Sequence, residues 1–288
     1  MKVWANDAEA LGPLPPGVEL ADGPGPDVEF LIPRWTESHA LDELPGLKVI
    51  QLLSAGVDWI ADRVPEGVTL CSARGARDRA MGEWIAAAIL AEVKHARPFA
   101  IAQGRHEWQP ATLHDAAGLG ILVVGFGSIG RTVQEMLAPF LCEVAGVART
   151  PRDGVHGVDE LPALLGEFDV VVNLLPATEQ THGLFGAREL ARLRDDALYI
   201  NAGRGATTDT DALVAELRSK RIRAVLDVVE PEPLPAQHPL WTAPNVMISP
   251  HCAGDTPAAD RAAWELAARQ LRRYVAGEPL ENVVRDGY

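Results

Sequence analysis

The run Gly120-Ile121-Leu122-Val123-Val124, followed at once by Gly125-Phe126-Gly127-Ser128-Ile129-Gly130, decides the fold of this chain. The apolar run predicts a buried strand, and residues 132–138 after the glycines have a helical pattern. Glycines at this spacing permit a tight turn and let a pyrophosphate approach the amino end of a helix. Between a strand and a helix they indicate a dinucleotide-binding unit rather than a turn that binds nothing. The predicted cofactor-binding residues of this turn are Gly125, Gly127, Ser128, Ile129 and Gly130.

Apolar runs of strand length recur after this turn, separated by segments of helical pattern such as residues 209–219. The runs are residues 144–147, 170–174, 198–201, 224–228 and 246–249. Fully apolar strands that alternate with helices predict a parallel sheet covered on both faces.

The two ends of the chain predict a second, smaller α/β layer. Residues 28–32 and 48–53 are strand-like runs between prolines and glycines, and residues 80–97 form a long Ala-rich helical stretch with Pro98 just past its end. Residues 258–276 then predict a final amphipathic helix. We predict a substrate domain at residues 1–85 and 263–288 and a dinucleotide-binding domain at residues 86–262.

The composition argues against several classes of partner. A net charge of −14 opposes binding to nucleic acid or to an anionic membrane. Cys71, Cys142 and Cys252 lack a Cys-x-x-Cys spacing, so neither a disulfide framework nor a metal site is expected. With no secretory apolar segment and no run of membrane-spanning length, we expect a cytoplasmic protein.

The end of the second predicted strand bears on the choice of cofactor. An NAD-binding unit normally has Asp or Glu here to hold the ribose 2′-hydroxyl, whereas this chain has Ala148. The missing carboxylate removes repulsion against a 2′-phosphate, and Arg149, Thr150 and Arg152 supply donors for it. NADP(H) is therefore favoured over NAD(H), and the alternative is that both arginines are simply solvated.

Three chemically active groups follow later strands, at the edge of the sheet where α/β proteins bind ligands. They are Arg204 in a glycine-flanked turn, Glu232 between two prolines, and His251 after Pro250. Singly they fit a turn-capping arginine, a surface carboxylate and a hydrogen-bonded core histidine. Together, after a cofactor turn, they are the groups needed to hold an anionic oxo acid and move a proton while a cofactor moves a hydride.

These residues resemble the D-isomer-specific 2-hydroxyacid dehydrogenase family over nearly the whole chain. The matching motifs are Ser54 to Asp58, Met81 to Trp84, Gly125 to Arg131, Asn173 to Pro176 with Thr178 and Thr181, Asn201 to Gly205, Asp227 to Leu234, His238 to Trp241, and Pro250-His251. The resemblance implies an α/β protein with two domains: a doubly wound parallel (Rossmann) sheet and a smaller flavodoxin-like α/β substrate domain. It implies reduction of a small 2-oxo acid to the D-2-hydroxy acid. The presence of Ala148-Arg149 in place of an acidic residue resembles the pattern of the NADPH-using glyoxylate and hydroxypyruvate reductase branch.

By this resemblance, Arg204 would bind the substrate carboxylate and polarise its 2-oxo group. His251 would be the general acid, and Glu232 would orient His251 and favour its protonated form. Glu230 competes in the same loop, but the residue before Pro-Leu aligns with the family's glutamate. The further substrate-binding residues implied are Leu53, Ser54, Ala55 and Gly56. The further cofactor-binding residues implied are Leu175, Pro176, Thr181, Ala202, Asp227 and Gly254.

Other interpretations stay open at this stage. Two other kinds of protein have similar motifs: a phosphite-type dehydrogenase, and a corepressor-like dinucleotide sensor that docks peptides. The family implies a homodimer through the nucleotide domains, and Trp84 and Trp108 suit either that interface or core packing. Arg74, Arg77 and Arg79 form a basic cluster that fits a solvated loop or a second anion site.

Overall fold

The computed structural model describes residues 1–33 and 41–285. It divides into two compact units, one formed by Met1–Asp78 with the segment from Asp255 onward, the other by Arg79–Gly254. The chain therefore passes from one unit to the other after Asp78 and after Gly254. The sequence predicts these two boundaries after residues 85 and 262.

The smaller unit contains a five-stranded sheet. Its strands are β1 (Lys2–Ala5), β2 (Glu19–Leu20), β3 (Val28–Ile32), β4 (Val49–Gln51) and β5 (Thr69–Cys71). All neighbouring strands are parallel, in the order β2-β1-β3-β4-β5. This is the strand order of the flavodoxin-like doubly wound fold.

The larger unit is built on seven parallel strands. They are β6 (Gly120–Val124), β7 (Glu143–Ala148), β8 (Val155–Gly157), β9 (Val170–Asn173), β10 (Leu198–Asn201), β11 (Arg223–Leu226) and β12 (Val246–Ile248). The helices of the chain are α1 (Asp78–Val93), α2 (Ala96–Gly104), α3 (Ser128–Leu137), α4 (Leu161–Leu164), α5 (Ala187–Leu190), α6 (Thr210–Arg218) and α7 (Pro257–Val275).

Both faces of the larger sheet are covered, as its apolar strands predict. On β6, Ile121 and Val123 belong to one buried cluster, whereas Leu122 and Val124 belong to another on the opposite face. The strand order is β12-β11-β10-β9-β6-β7-β8, so β7 and β8 are added on one side of β6 and β9 to β12 on the other, which places the topological switch point between β6 and β9. Ligands bind at the carboxyl ends of strands flanking such a switch point. The predicted fold class is confirmed.

The long predicted helix at residues 80–97 is wrong at its carboxyl end. Helix α1 stops at Val93, His95 takes a left-handed backbone with φ +53°, and α2 begins at Ala96. Pro98 does not end a helix but lies in the first turn of α2, where its missing N–H costs nothing.

Helix α7 supplies the apolar stripe that the sequence predicts. Trp264, Ala267 and Leu271 are buried with Val3 and Phe30 in the core of the smaller unit. Across residues 1–33 and 41–285, every helix falls short of the length and apolar character that crossing a membrane requires.

Candidate active site

The glycine turn after β6 has the geometry of an anion cradle. Gly125 has φ +93°, and a Cβ there would lie 2.9 Å from the carbonyl of Leu174, so only glycine fits. Helix α3 starts directly afterwards with Gly127 as its N-cap, and no side chain caps it. The first-turn amides of such a helix lack intrahelical partners and favour a phosphate. These residues fit the pyrophosphate of a dinucleotide.

The residues after β7 take two different positions. Arg149 and Thr150 are exposed. Arg152 instead donates from Nη2 to the carbonyl of Phe126 at 2.6 Å and from Nη1 to that of Thr150 at 3.4 Å. Arg152 therefore ties this loop to the glycine turn, although its side chain is exposed as well.

The turn that carries Arg204 follows β10 and is stabilised by hydrogen bonds to its backbone carbonyl. The carbonyl oxygen of Arg204 accepts hydrogen bonds from Thr207 Oγ1 at 2.6 Å and Asn201 Nδ2 at 3.1 Å. The guanidinium Nη1 donates to the carbonyl of Gly203 at 2.8 Å. A Cβ on Gly205 would overlap the carbonyl of Val229, so the backbone of this turn lies against the next loop.

His251 follows β12 in a left-handed backbone conformation, with φ +52°. This conformation costs a residue other than glycine roughly 1 to 3 kcal/mol, and such strain persists only where surrounding bonds impose it. Asp227 provides them: its carbonyl accepts the His251 amide at 2.8 Å. Its carboxylate accepts Ser249 Oγ at 2.6 Å and the amides of Cys252 and Ala253 at 2.9 and 3.0 Å.

Glu232, rather than Glu230, makes the contact with His251. Glu232 Oε2 lies 3.0 Å from His251 Nδ1, and its Oε1 accepts the Val229 amide at 3.3 Å. The two side chains are 37% and 40% exposed, so the pair is open to solvent and to a small molecule. A carboxylate on Nδ1 fixes the imidazole orientation and leaves Nε2 as the nitrogen able to transfer a proton.

The remaining predicted cofactor-binding residues in the larger unit, Leu175, Pro176, Thr181, Ala202 and Gly254, are buried or half-buried. Thr181 Oγ1 lies 2.6 Å from the Pro176 carbonyl, and Leu175 donates its amide to Asn173 Oδ1 at 3.1 Å. Ala202 is buried and donates its amide to the Asn173 carbonyl, and Gly254 ends the larger unit. Leu175, Pro176, Thr181 and Ala202 thus follow β9 and β10 at the edge of the sheet where Gly125 lies.

The predicted substrate loop lies in the smaller unit, after β4. Ser54 Oγ donates to the Gly56 carbonyl at 2.7 Å and accepts Trp59 Nε1 at 3.3 Å. Arg77 Nε donates to the Leu53 carbonyl at 3.4 Å. The Ser54 side chain is therefore used to shape the loop.

Two arginines of the basic cluster around the start of α1, Arg77 and Arg79, are paired with carboxylates. Arg77 contacts Asp255 at 2.8 Å and Asp260 at 3.2 Å, and Arg79 contacts Glu83 at 2.8 Å. Arg77 is only 19% exposed on its side chain, so the solvated-loop interpretation does not describe it. Its acidic partners also disfavour a second anion there.

Sequence reasoning missed the polar residues that support Arg204 and His251. Asn173, Thr207 and Ser249 lie within or beside the quoted motifs but received no role. The available signal was a polar residue at the end of an apolar strand, as at Asn173 on β9. For metals, residues 1–33 and 41–285 contain no group of three or more His, Cys, Asp or Glu side chains able to hold an ion.

Comparison with known proteins gives a consistent result. The protein-family model for the NAD binding domain of D-isomer specific 2-hydroxyacid dehydrogenases matches residues 86–253. The chain is 34% identical over 259 residues to glyoxylate/hydroxypyruvate reductase A of Yersinia enterocolitica, which covers 84% of this chain and 82% of that protein.

Two solved structures resemble the whole chain. One is a D-isomer specific 2-hydroxyacid dehydrogenase from Xanthobacter autotrophicus in complex with NADPH and MES. It has a TM-score of 0.88 and 32% identity and covers 100% of this chain and 99% of that one. The other is an NADPH-dependent glyoxylate/hydroxypyruvate reductase from Sinorhizobium meliloti in complex with NADP and sulfate. It has a TM-score of 0.88 and 28% identity and covers the same shares.

Proposed function

Because the chain belongs to the D-isomer specific 2-hydroxyacid dehydrogenase family, we propose that it reduces a small 2-oxo acid, such as glyoxylate or hydroxypyruvate, with NADPH to the 2-hydroxy acid, which has the D configuration when it is chiral. Its catalytic residues are Arg204, Glu232 and His251. The observation that carries this proposal is the 3.0 Å contact between His251 and Glu232, in the unit that holds the glycine turn and Arg204. The glyoxylate/hydroxypyruvate reductases among its relatives support the choice of substrate.

The chemistry assigns one task to each side chain. Bound NADPH supplies the hydride that reaches C2 of the substrate. Arg204 holds the carboxylate through its planar guanidinium and stabilises negative charge as it develops on the 2-oxo oxygen. His251 delivers a proton to that oxygen from Nε2 while Glu232 holds Nδ1. We also assign substrate binding to Leu53, Ser54, Ala55 and Gly56 of the smaller unit, as the family resemblance implies.

The test of this function is a set of steady-state assays with purified protein. Glyoxylate, hydroxypyruvate, pyruvate, phenylpyruvate and phosphite are each assayed with NADPH or NADP⁺ and with the corresponding NAD forms. We expect the highest kcat/KM with glyoxylate or hydroxypyruvate and NADPH. Turnover of phosphite alone would identify a phosphite-type enzyme, and peptide binding without turnover would identify a corepressor-like sensor.

Arg149 is the proposed 2′-phosphate ligand, because both arginines after β7 are exposed but Arg152 is already bonded to the carbonyl of Phe126. Arg149→Ala should lower kcat/KM for NADPH by about 10- to 100-fold, the effect of losing one hydrogen bond to a charged group. The kcat/KM for NADH should change less than about twofold. Arg188→Ala, at an exposed arginine of α5, is the matched control. An equal loss with both cofactors would contradict the assignment.

We propose a homodimer through the nucleotide-binding unit. Trp84 packs against a buried cluster, so core packing accounts for it, whereas Trp108 is 95% exposed. Phe99, Ile101 and Leu113, close to Trp108 in the sequence, are also exposed, and a contiguous apolar surface typically marks an interface. We expect a dimer by sedimentation velocity at micromolar protein and a shift toward monomer in Trp108→Ser. A wild-type monomer at that concentration would refute the dimer.

The remaining proposals concern the setting of the protein. We propose that it acts in the cytoplasm, on a small-molecule substrate and without nucleic acid or membrane as partner. The net charge of −14 supports the absence of a nucleic-acid or membrane partner, because a strongly negative protein is repelled by polyanionic surfaces.

A further inference from the structure

A tyrosine in the core of the larger unit carries a hydroxyl that packing alone does not require. Tyr199, on β10, is completely buried and belongs to an apolar cluster. Its ring lies 5.1 Å from the ring of Phe185. Phenylalanine would fill nearly the same volume without the need to satisfy a polar atom in the core.

The hydroxyl of Tyr199 makes two hydrogen bonds of ordinary length. It accepts from Asn173 Nδ2 at 2.9 Å and lies 2.7 Å from Thr208 Oγ1. Burial raises the pKa of Tyr199, so the phenol keeps its proton and can donate it. All three side chains are buried.

Each of the two partners of Tyr199, Asn173 and Thr208, is connected by further hydrogen bonds to the same atom, the carbonyl oxygen of Arg204. Asn173 Nδ2 also donates to Thr207 Oγ1 at 2.8 Å, and Thr207 Oγ1 donates to the Arg204 carbonyl at 2.6 Å. On the second route, Asn201 Nδ2 donates to Thr208 Oγ1 at 3.1 Å and to the Arg204 carbonyl at 3.1 Å.

This closed network leaves the Arg204 backbone little freedom. Each buried donor or acceptor that lost its partner would be left unsatisfied, and such networks rigidify the segment they hold. The carbonyl of Arg204 is fixed from two directions, whereas the guanidinium lies several bonds farther out. A small displacement of a group that positions a substrate can cost a large factor in rate.

We propose that Tyr199 is a positioning residue for the substrate: through Asn173, Thr207, Thr208 and Asn201 its hydroxyl fixes the turn from which Arg204 reaches the carboxylate. The proposal rests on the assignment of Arg204 in the proposed function. Tyr199 itself contacts no substrate atom and acts only through the Arg204 turn.

The first test removes the hydroxyl and keeps the ring. Tyr199→Phe should lower kcat/KM for hydroxypyruvate by about tenfold, mainly through a higher KM for the oxo acid. The Kd for NADPH, from nicotinamide fluorescence, should stay within about twofold. Tyr274→Phe is the matched control, because the Tyr274 hydroxyl bonds to Glu29 in the smaller unit. An unchanged kcat/KM in Tyr199→Phe would overturn the proposal.

A double-mutant cycle separates positioning from general loss of stability. Arg204→Lys keeps the charge but removes the planar guanidinium. If Tyr199 acts through Arg204, Tyr199→Phe should lower kcat/KM less than about twofold further in the Arg204→Lys background. The same tenfold loss in both backgrounds would show a merely structural role.

Thr207→Val tests the same network by a second substitution, which serves if Tyr199→Phe does not fold. Thr207→Val preserves the branched shape and removes the 2.6 Å bond to the Arg204 carbonyl. It should reproduce the raised KM for the oxo acid, and a wild-type KM would overturn the proposal. A wild-type kcat/KM in Arg204→Lys alone would instead refute the proposed function of Arg204.

Discussion

His251→Asn is expected to lower kcat for 2-oxo acid reduction by about 10²- to 10⁴-fold, because a positioned general acid contributes a factor of that size. Asn tolerates the left-handed backbone of His251, so the loop should keep its conformation. The measurement is kcat with saturating hydroxypyruvate and NADPH, together with the Kd for NADPH, which should hardly change.

The control for this variant is His106→Asn. His106 is exposed and also has a left-handed backbone, with φ +59°, but it lies far from His251 in the sequence, just after α2. It should retain wild-type kcat. Near-normal turnover in His251→Asn would refute the assignment of the proton donor.

Arg204→Ala should lower kcat/KM for the oxo acid by about 10²- to 10³-fold, the cost of removing a group that stabilises developing negative charge. Unlike the His251 variant, it should also raise KM, because the guanidinium holds the substrate carboxylate in the ground state as well. Steady-state kinetics with hydroxypyruvate at fixed, saturating NADPH measure both quantities.

Arg218→Ala, at an exposed arginine in the last turn of α6, is the matched control for loss of a cation. It should leave both kcat and KM unchanged. If Arg204→Ala changed kcat but left KM at the wild-type value, the carboxylate-binding role would be wrong even though the residue mattered for turnover.

The architecture was predictable because its signals are local. The apolar run before Gly125 and the glycines themselves define a strand, a turn and a helix, and the structure shows β6, Gly125 at φ +93° and α3 there. Repetition of apolar runs predicts a parallel sheet covered on both faces, and the structure confirms it. The family resemblance is likewise confirmed by the match over residues 86–253.

The differences between the predicted and the observed secondary structure have two local causes, a single backbone angle and the shortness of some strands. Residues 80–97 have a continuous helical pattern, but the left-handed φ of His95 separates α1 from α2. The short strands β2 and β8, of two and three residues, carry too few residues for any periodicity to be visible.

Taken alone, the residues of the candidate site were predictable only as residue types in their places after predicted strands. The pairing of Glu232 with His251 depends on how two loops fold together, so it was predicted only through the family resemblance, and the structure has that contact at 3.0 Å. The bonds from Asp227 to residues 249–253 connect the segments that follow β11 and β12, and the bond from Asn173 to Tyr199 connects β9 with β10. Side-chain partners on different strands leave no local pattern in the sequence.

The most direct test of the central claim is kcat/KM for hydroxypyruvate reduction by the purified protein with NADPH, compared with the same value for NADH. We expect a kcat/KM for hydroxypyruvate with NADPH of about 10⁴ M⁻¹ s⁻¹ or more, within the usual range for enzymes, and a value at least about tenfold lower with NADH. D-glycerate should be the product. Absence of turnover with either cofactor, or formation of the L-isomer, would contradict the account.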